Sequence, residues 1–340
     1  MKLSELITTS DVLSFAGDKS AEIRGVTFDS RNVEPGFLFV ALRGARADGH
    51  SFVARAVKLG AAAVVVESED MLRDVPGASA VVRVKDARRA LADIAAAWYR
   101  RPFDRMNLWG VTGTNGKTTT SYLLESVLSA AGRRTGVIGT VNWRVDGETY
   151  PSSATTPEPL ELMKILSFMA EKEVSDVVME VSSHALVQQR VAACSFKGAV
   201  FTNLSRDHLD YHRTMKDYLN AKAILFENLG GDATAVLNGD DPAGKLIAAR
   251  TSASVLTYGT GDTCDVRAVE TSLNGNGIQA HLKTPEGNME IFSPLVGTFN
   301  VYNLLAAAAA GLCAGVRPDL VAAGIASLKG IPGRLEPVAN

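Results

Sequence analysis

The chain is poor in cysteine, with three among 340 residues. Cys194, Cys264 and Cys313 are odd in number, widely spaced and set among apolar neighbours, which argues against a disulfide framework and points to buried thiols in a reducing cytoplasm. Long apolar runs are also lacking. None reaches the ~18 residues of a membrane span, and the longest candidate, LLAAAAAGLCAGV, is alanine-rich and broken by glycine. The opening MKLSELITTSDV lacks the continuous apolar core of a signal peptide. There is no repeat of fixed period and no low-complexity tract. Charge of one sign is missing too: a formal net charge of −2 removes any electrostatic reason to expect nucleic acid or an anionic membrane as the main partner.

What the chain does have is apolar material, 46% of its residues, and length for about two domains at the usual ~150 residues each. Up to residue 101, GFLFVAL reads as extended, HSFVARAVKLG as helical and AAAVVVE as a buried strand. DARRALADIAAAWYR then reads as an amphipathic helix, with Leu91, Ile94, Ala95 and Trp98 at helical spacing. These predict a small α/β domain over 1–101, ending in the linker-like RRPFDR with Pro102. Over 102–333, NLWGVTG, TGVIGTV, SDVVMEVSS, KGAVFTNL, TAVLNGDD and SVLTYG alternate with helical or loop segments and predict a larger α/β domain with mostly parallel strands. CDVRAVETSLNGNGIQAHLKTPEGNMEIFSPLVG switches to alternating strands with an N-G turn, an antiparallel appendage, and helices near 303–314 and 320–328 follow. Polar clusters TGTNGKT, EVSSHA, TNLSRDH and NGDD sit after the parallel strands, where open sheets bind ligands.

LWGVTGTNGKTTTSYLL, Leu108 to Leu124, departs from the standard phosphate loop G-x-x-x-x-G-K-[ST]. Read back from Gly116, Lys117 and Thr118, that pattern needs glycine at 111, where this chain has Val111. Here a buried strand ends at Thr112, a shorter turn runs Gly113-Thr114-Asn115-Gly116, and a helix starts at Lys117 with Leu123, Leu124, Val127 and Leu128 apolar. Backbone N–H groups of such a turn and helix start point at an anion, with Lys117 as a point charge and Thr118 as a hydroxyl for Mg²⁺. In VVMEVSSHALVQQR, Glu180 ends a buried strand, where it either faces a Mg²⁺ near that loop or reaches solvent. FTNLSRDHLDYHRTMKDYLNAKAILF holds Asp207, His208, Asp210 and His212; the histidine spacing suits a metal, yet no cysteine or H-E-x-x-H pattern supports zinc. Lys222, flanked by alanines, reads on its own as a surface lysine of an amphipathic helix.

Together these residues resemble the ATP-dependent Mur ligases of peptidoglycan synthesis, whose phosphate loop has the form G-T-N-G-K-T. The likeness is nearest to the members that add a third amino acid to UDP-MurNAc-L-Ala-D-Glu. It is carried by TFDSRNVEPGFLFVALRGARADGHSF, GVTGTNGKTTTSYLL, SSATTPEPLEL, MEVSSHALVQQRV, FTNLSRDHLDYHRTMKDYLNAKAILF, GTFNVYNLLAAAA and GIPGRLEPV, which span residues 26–338. The resemblance implies that Gly113, Thr114, Asn115, Gly116, Lys117, Thr118 and Thr119 hold the ATP phosphates, with Asn303 at the adenine and Asn300 nearby. It implies that Phe28, Ser30 and the stretch Ala45, Arg46, Ala47 hold the UDP-MurNAc end, and that Thr155, Thr156, Ser182, Gln188 and Arg190 contact the muramoyl dipeptide. Thr118 and Glu180 then hold one Mg²⁺, while His208 and Lys222 serve a second. Lys117, Glu180, His208 and Lys222 form the implied catalytic set. In the family this lysine is carbamylated: a neutral amine captures CO₂ and becomes an anionic carbamate able to face Mg²⁺. The implied reaction is attack of the glutamyl carboxylate on the γ-phosphate of ATP, followed by displacement of phosphate from the acyl phosphate by an amine.

The family continues past G-R-L-E into a third domain that brings the incoming diamino acid, meso-diaminopimelate or L-lysine. Residues 334–340 read as the start of the linker to it. These 340 residues are therefore expected to bind the UDP-substrate, and ATP, as a monomer with little ligation, and without nucleic acid or membrane insertion. A sibling such as another Mur ligase or a folylpolyglutamate synthetase would share the loop and Lys222, but not T-T-P with E-V-S-S-H-A-L and the D-S-R segment. A P-loop kinase or NTPase would move phosphate without forming an amide, and a non-catalytic nucleotide-sugar binding module is the third alternative.

Overall fold

The computed structural model describes residues 1–8, 11–44, 47–72 and 77–333. Ala45 and Arg46, expected at the UDP end, and the expected linker 334–340 lie outside the described residues. Contacts divide the chain into two compact units: Met1–Pro102 with Glu158–Ser167 and Gln188–Cys194, and Phe103–Pro157 with Phe168–Val187 and Ser195–Asn340.

The first unit is a five-stranded sheet built from β1 (Val12–Gly17), β2 (Gly25–Thr27), β3 (Phe37–Val40), β4 (Ala63–Val66) and β5 (Ala80–Val84), in the order β1-β5-β4-β3-β2. Four strands are parallel and β1 pairs antiparallel to β5 at the edge. Strands buried on both faces read as continuous apolar runs, because alternate side chains feed two different cores. Leu38, Val40, Ala63, Val65, Val82 and Val84 pack on α1 (Leu3–Leu6) and α3 (Ala87–Trp98), while Phe39, Val64, Val66 and Val81 pack on α2 (Val53–Lys58). Asp86 starts α3 by accepting from the Arg88 and Arg89 amides, and Leu91, Ile94 and Ala95 are buried as the helical spacing predicts.

The second unit carries β6 (Asn107–Thr112), β7 (Thr135–Ile138), β8 (Asn142–Val145), β9 (Glu148–Pro151), β10 (Asp176–Glu180), β11 (Phe196–Phe201), β12 (Thr234–Asn238), β13 (Ser254–Gly259), β14 (Val266–Asn274), β15 (Gly277–Thr284) and β16 (Gly287–Ser293). The strand order is β16-β15-β14-β13-β12-β11-β6-β10-β7-β8-β9. Its centre is parallel; β14 to β16 form the expected antiparallel extension. The helices are α4 (Lys117–Ala130), α6 (Ser183–Val187), α7 (Leu209–His212), α8 (Met215–Glu227), α9 (Pro242–Ala248), α10 (Phe299–Cys313) and α11 (Pro318–Ser327), while α5 (Pro159–Glu171) counts with the first unit up to Ser167. Helices α4, α10 and α11 bury Val111, Val178, Val200 and Val236 on one sheet face. Because β10 and β11 flank β6 on opposite sides, their carboxyl ends diverge and leave a crevice at the end of β6.

Two expectations change. The stretch read as one strand, TGVIGTV, stops at Ile138, and β8–β9 form a second antiparallel hairpin at the opposite edge. Its turn, Asp146-Gly147, has φ of 50° and 81°, the positive pair that matches the twist of adjoining strands. Trp143 stacks on Tyr150 with ring centroids 4.0 Å apart, which fixes the register. The three cysteines are free, as expected, but half-buried rather than fully buried. Desolvation pushes the Cys194 and Cys313 thiols up to about 12. Among the described residues no helix is long and apolar enough to cross a membrane.

Gly198 on β11 lies against the buried Trp109 ring, where an added Cβ would meet Cζ3 at 2.4 Å. Gly198→Ala is therefore expected to destabilise the protein by roughly 1–3 kcal/mol, because overpacking outweighs the gain in strand propensity. A thermal midpoint unchanged or raised would refute this packing.

Candidate active site at the carboxyl edge of the central sheet

The turn after β6 adopts a conformation that only glycine fits at both ends. Gly113 has φ +147°, and a Cβ there would lie 1.8 Å from Thr202 Oγ1. Gly116 has φ +87°, and a Cβ there would lie 2.3 Å from Asn303 Oδ1. Helix α4 starts directly after it, so its unpaired amides open towards the crevice. Lys117 Nζ donates to the Gly113 and Thr114 carbonyls, both at 2.9 Å, which folds the cation onto its own loop.

The segment after β11 holds this loop from the side. Thr114 N–H donates to the Asn203 carbonyl at 2.8 Å, and Asn115 N–H to Asn203 Oδ1 at 3.1 Å. Asn203 Nδ2 returns a bond to the Asn115 carbonyl at 3.1 Å, and Thr202 Oγ1 donates to the same carbonyl at 2.6 Å. Thr202 and Asn203 received no role from the sequence. The polar cluster TNLSRDH was visible, but their partners lie 87 and 88 positions earlier in the chain.

Glu180 ends β10 inside the crevice and is 2% exposed. It does not reach solvent. Its carboxylate accepts from Thr118 Oγ1 at 3.1 Å, Thr140 Oγ1 at 2.9 Å and Thr140 N–H at 3.1 Å. Gly139 permits the approach, since a Cβ there would meet Glu180 Oε1 at 2.3 Å. Thr155 Oγ1 is 3.0 Å from Thr140 Oγ1. Thr156 Oγ1 donates to the Glu180 carbonyl at 2.8 Å and accepts from Ser182 N–H at 3.0 Å, so T-T-P and E-V-S-S meet as one polar wall.

Lys222 is not at the surface: it is 1% exposed, below the loop, with Nζ donating to the Gly113 carbonyl at 2.8 Å and lying 4.3 Å from the Tyr218 ring centroid. Burial lowers its basicity far below that of ordinary lysine, and Lys117 pushes it further down against a smaller opposing effect of Asp207. Among the described residues no carboxylate forms an ion pair with it. His208, in the left-handed region at φ 51°, is exposed; its ring packs edge-on to Tyr218 at 6.0 Å and to His184 at 5.0 Å. Tyr218 thus touches both. His212 is buried instead, with Nε2 2.8 Å from Ser183 Oγ; burial, then His184, Lys222 and His208, lower its basicity while Asp217 opposes them.

The loop and Glu180 border a cavity of about 970 Å³, lined by residues 114–119, Glu180, Asn203, Asp240, Phe299, Tyr302 and Asn303, among others, but not by Lys222 or His208. Asn303 lines it while Asn300 stands behind: Asn303 Nδ2 donates to Asn300 Oδ1 at 2.9 Å, and Asn300 Nδ2 to the Val296 carbonyl at 2.7 Å. At that end Asp240 accepts from Thr260 N–H at 2.6 Å and Tyr302 OH at 3.0 Å. Burial pushes its carboxyl up, but bonds from Thr260, Tyr302 and Gly261 outweigh it and hold the group below the usual carboxylate range. Neither Asp240 nor Tyr302 was singled out beforehand, although NGDD stood out as a polar strand end.

The remaining expected residues belong to the first unit. Ser30 is buried in the turn Ser30–Asn32, which Asp29 caps by accepting from the Arg31 amide. Phe28 packs against the core, and the Ala47 carbonyl accepts from Gly44 N–H at 3.0 Å. Gln188 and Arg190 fall in the same unit, where Arg190 donates to Gln188 Oε1 at 2.7 Å and pairs with Glu158 at 2.7 Å.

A parallel sheet with a glycine turn feeding a helix N-terminus beside a buried glutamate defines a P-loop-type α/β domain. A family profile described as "Mur ligase middle domain" matches residues 111–311, and one described as "Mur ligase family, catalytic domain" matches 22–99. The chain belongs to the Mur ligase family, ATP-dependent ligases of peptidoglycan synthesis. It is 44% identical to UDP-N-acetylmuramoyl-L-alanyl-D-glutamate–2,6-diaminopimelate ligase of Bacillus licheniformis, over 99% of this chain and 69% of that protein. It is 46% identical to the like-named ligase of Geobacillus kaustophilus, over 93% of this chain and 65% of that one. A solved structure of a like-named ligase superposes with a TM-score of 0.86 at 30% identity, covering 100% of this chain and 69% of the other. The chain thus spans about two thirds of the length of these relatives.

One feature of the site is strained. Thr214 N–H donates to the His212 carbonyl across Arg213, whose φ 58° and ψ −50° make a tight γ-turn just before α8. Such strain costs about 1–3 kcal/mol in a non-glycine residue, against roughly 0.5–1 kcal/mol for the greater freedom of an unfolded glycine. Arg213→Gly is expected to raise the thermal midpoint by about 2 °C; a fall would show that the turn is not strained.

Proposed function

We propose that the protein joins the free glutamyl carboxylate of UDP-MurNAc-L-Ala-D-Glu to an amine of meso-2,6-diaminopimelate, with ATP converted to ADP and phosphate. The diaminopimelate assignment follows the names of its relatives. In this reading the first unit holds the UDP-MurNAc end through Phe28, Ser30 and Ala45 to Ala47, while Gln188, Arg190, Thr155, Thr156 and Ser182 contact the dipeptide. Residues 113–119 hold the ATP phosphates, and Asn303 meets the adenine with Asn300 bracing it. The enzyme works as a monomer in the cytoplasm.

The observation that carries this reading is the burial of Lys222 beneath the loop. An ammonium brings three N–H donors, yet the structure offers this buried group one carbonyl, Gly113, and one aromatic face, Tyr218, beside a second cation, Lys117. A neutral amine in that place is a nucleophile for CO₂. As a carbamate it keeps one N–H for Gly113, exchanges repulsion from Lys117 for attraction, and presents oxygens to a metal. Glu180 and Thr118 likewise present only oxygen donors, the set Mg²⁺ prefers while it keeps waters and phosphate oxygens for its other positions. Thr118 and Glu180 would hold a Mg²⁺, which would supply charge neutralisation where the carboxylate and the γ-phosphate, both anions, must meet.

The chain's own groups then have defined tasks. The loop amides and Lys117 orient the phosphates, so that the carboxylate oxygen forms a bond to the γ-phosphorus as the bond to ADP breaks. The amine adds to the acyl carbon, loses a proton, and phosphate departs with the carbon–oxygen bonding pair. The enzyme contributes no covalent nucleophile.

Phosphate release is expected only when UDP-MurNAc-L-Ala-D-Glu and diaminopimelate are both present, and Lys117→Ala is expected to abolish it. Release without the amine would indicate an NTPase or kinase, equal use of L-lysine would overturn the diaminopimelate assignment, and near-normal turnover of Lys117→Ala would refute the role of the loop. Lys222→Ala is expected to lose turnover and regain part of it with added short-chain carboxylate. Full activity of that variant without additive would exclude the carbamate.

A further inference from the structure

One buried hydroxyl near the site has no use in the reading above. Thr112 is 0% exposed, and among the described residues its Oγ1 has no hydrogen-bond partner. Buried polar atoms left unpartnered are rare, and such an orphan marks a place where a further group belongs. The strand shows which way it faces. Gly110 and Thr112 stand two positions apart on β6 and share a face, and a Cβ at Gly110 would lie 3.2 Å from Leu225 of α8. Leu225 and Lys222 are three positions apart on that helix and share its inner side. Lys222 Nζ reaches the Gly113 carbonyl, the residue next to Thr112. The orphan hydroxyl and the buried amine therefore occupy one layer between β6 and α8.

We infer that Thr112 Oγ1 donates a hydrogen bond to the carbamate formed on Lys222, and so acts as a positioning residue for that group. This rests on the carbamate reading of Lys222. In the step itself the Nζ lone pair attacks the carbon of CO₂, one carbon–oxygen π pair moves onto oxygen, and one N–H proton leaves to solvent. The product has anionic oxygens that need donors, and Thr112 Oγ1 is a donor in that layer without a partner among the described residues. Its hydroxyl also explains why threonine rather than valine ends an otherwise apolar strand.

The test is the uptake of carbon-13-labelled bicarbonate by the 340-residue chain, followed through its carbamate carbon resonance in the presence of Mg²⁺. Lys222→Arg, which cannot form the adduct, identifies the signal. The near-isosteric Thr112→Val is expected to raise the half-saturating bicarbonate concentration by about tenfold, the usual effect of losing one charge-assisted bond. Thr112→Ser, which keeps the hydroxyl, is expected to stay near the unsubstituted protein. Absence of a Lys222-dependent signal in the unsubstituted chain overturns the carbamate reading and this inference with it. A normal titration of Thr112→Val beside a clear Lys222 signal overturns the role of Thr112 alone.

Discussion

At Gly113 the backbone passes so close to Thr202 that a side chain would overlap its hydroxyl, and the geometry of the crevice follows from that approach. The close contact lets Thr202 and Asn203 bond Thr114 and Asn115, which occupies those two amides and holds the turn so that the amides at the start of α4 stay open. The same residue presents its carbonyl downward to Lys222 and to Lys117. One peptide unit thus couples the anion-binding face of the loop to a buried amine beneath it. A bulkier residue at 113 would disturb both.

The electrostatics of the site are those of a place awaiting anions. Two lysines share one carbonyl, and a buried glutamate is satisfied by hydroxyls and an amide rather than by a cation. Burial first, and then the like charge of Lys117, lower the basicity of Lys222. A neutral amine that becomes an anion changes the sign of the local field. In the proposed carbamate form, a lysine that as an ammonium would weaken a metal site would strengthen it.

Much of the fold was legible because its signals are local. The double-sided burial of β3, β4, β6 and β10 shows as apolar runs, and the helix start after Gly116 shows in the glycine and the G-K-T that follow it. The β8–β9 hairpin was missed although Asp146-Gly147 announces it, because the apolar TGVIGTV before it reads as a continuous strand. The roles of Thr202, Asn203, Asp240 and Tyr302 were not legible. Each acts through partners many positions away, on strands and helices whose neighbours only the sheet order determines.

The chain by itself determined the elements that depend on near neighbours: the turn, the helix that follows it, the strand that ends in Glu180, and the family to which these motifs point. What tertiary structure added is the burial of Lys222, whose place in the site only the family resemblance had implied. Between two alanines it reads as a solvated cation, but α8 packs beneath a loop 109 positions earlier and takes the side chain out of water. The proton affinity of an amine is set by its solvation and its neighbouring charges, and neither is written in the residues beside it.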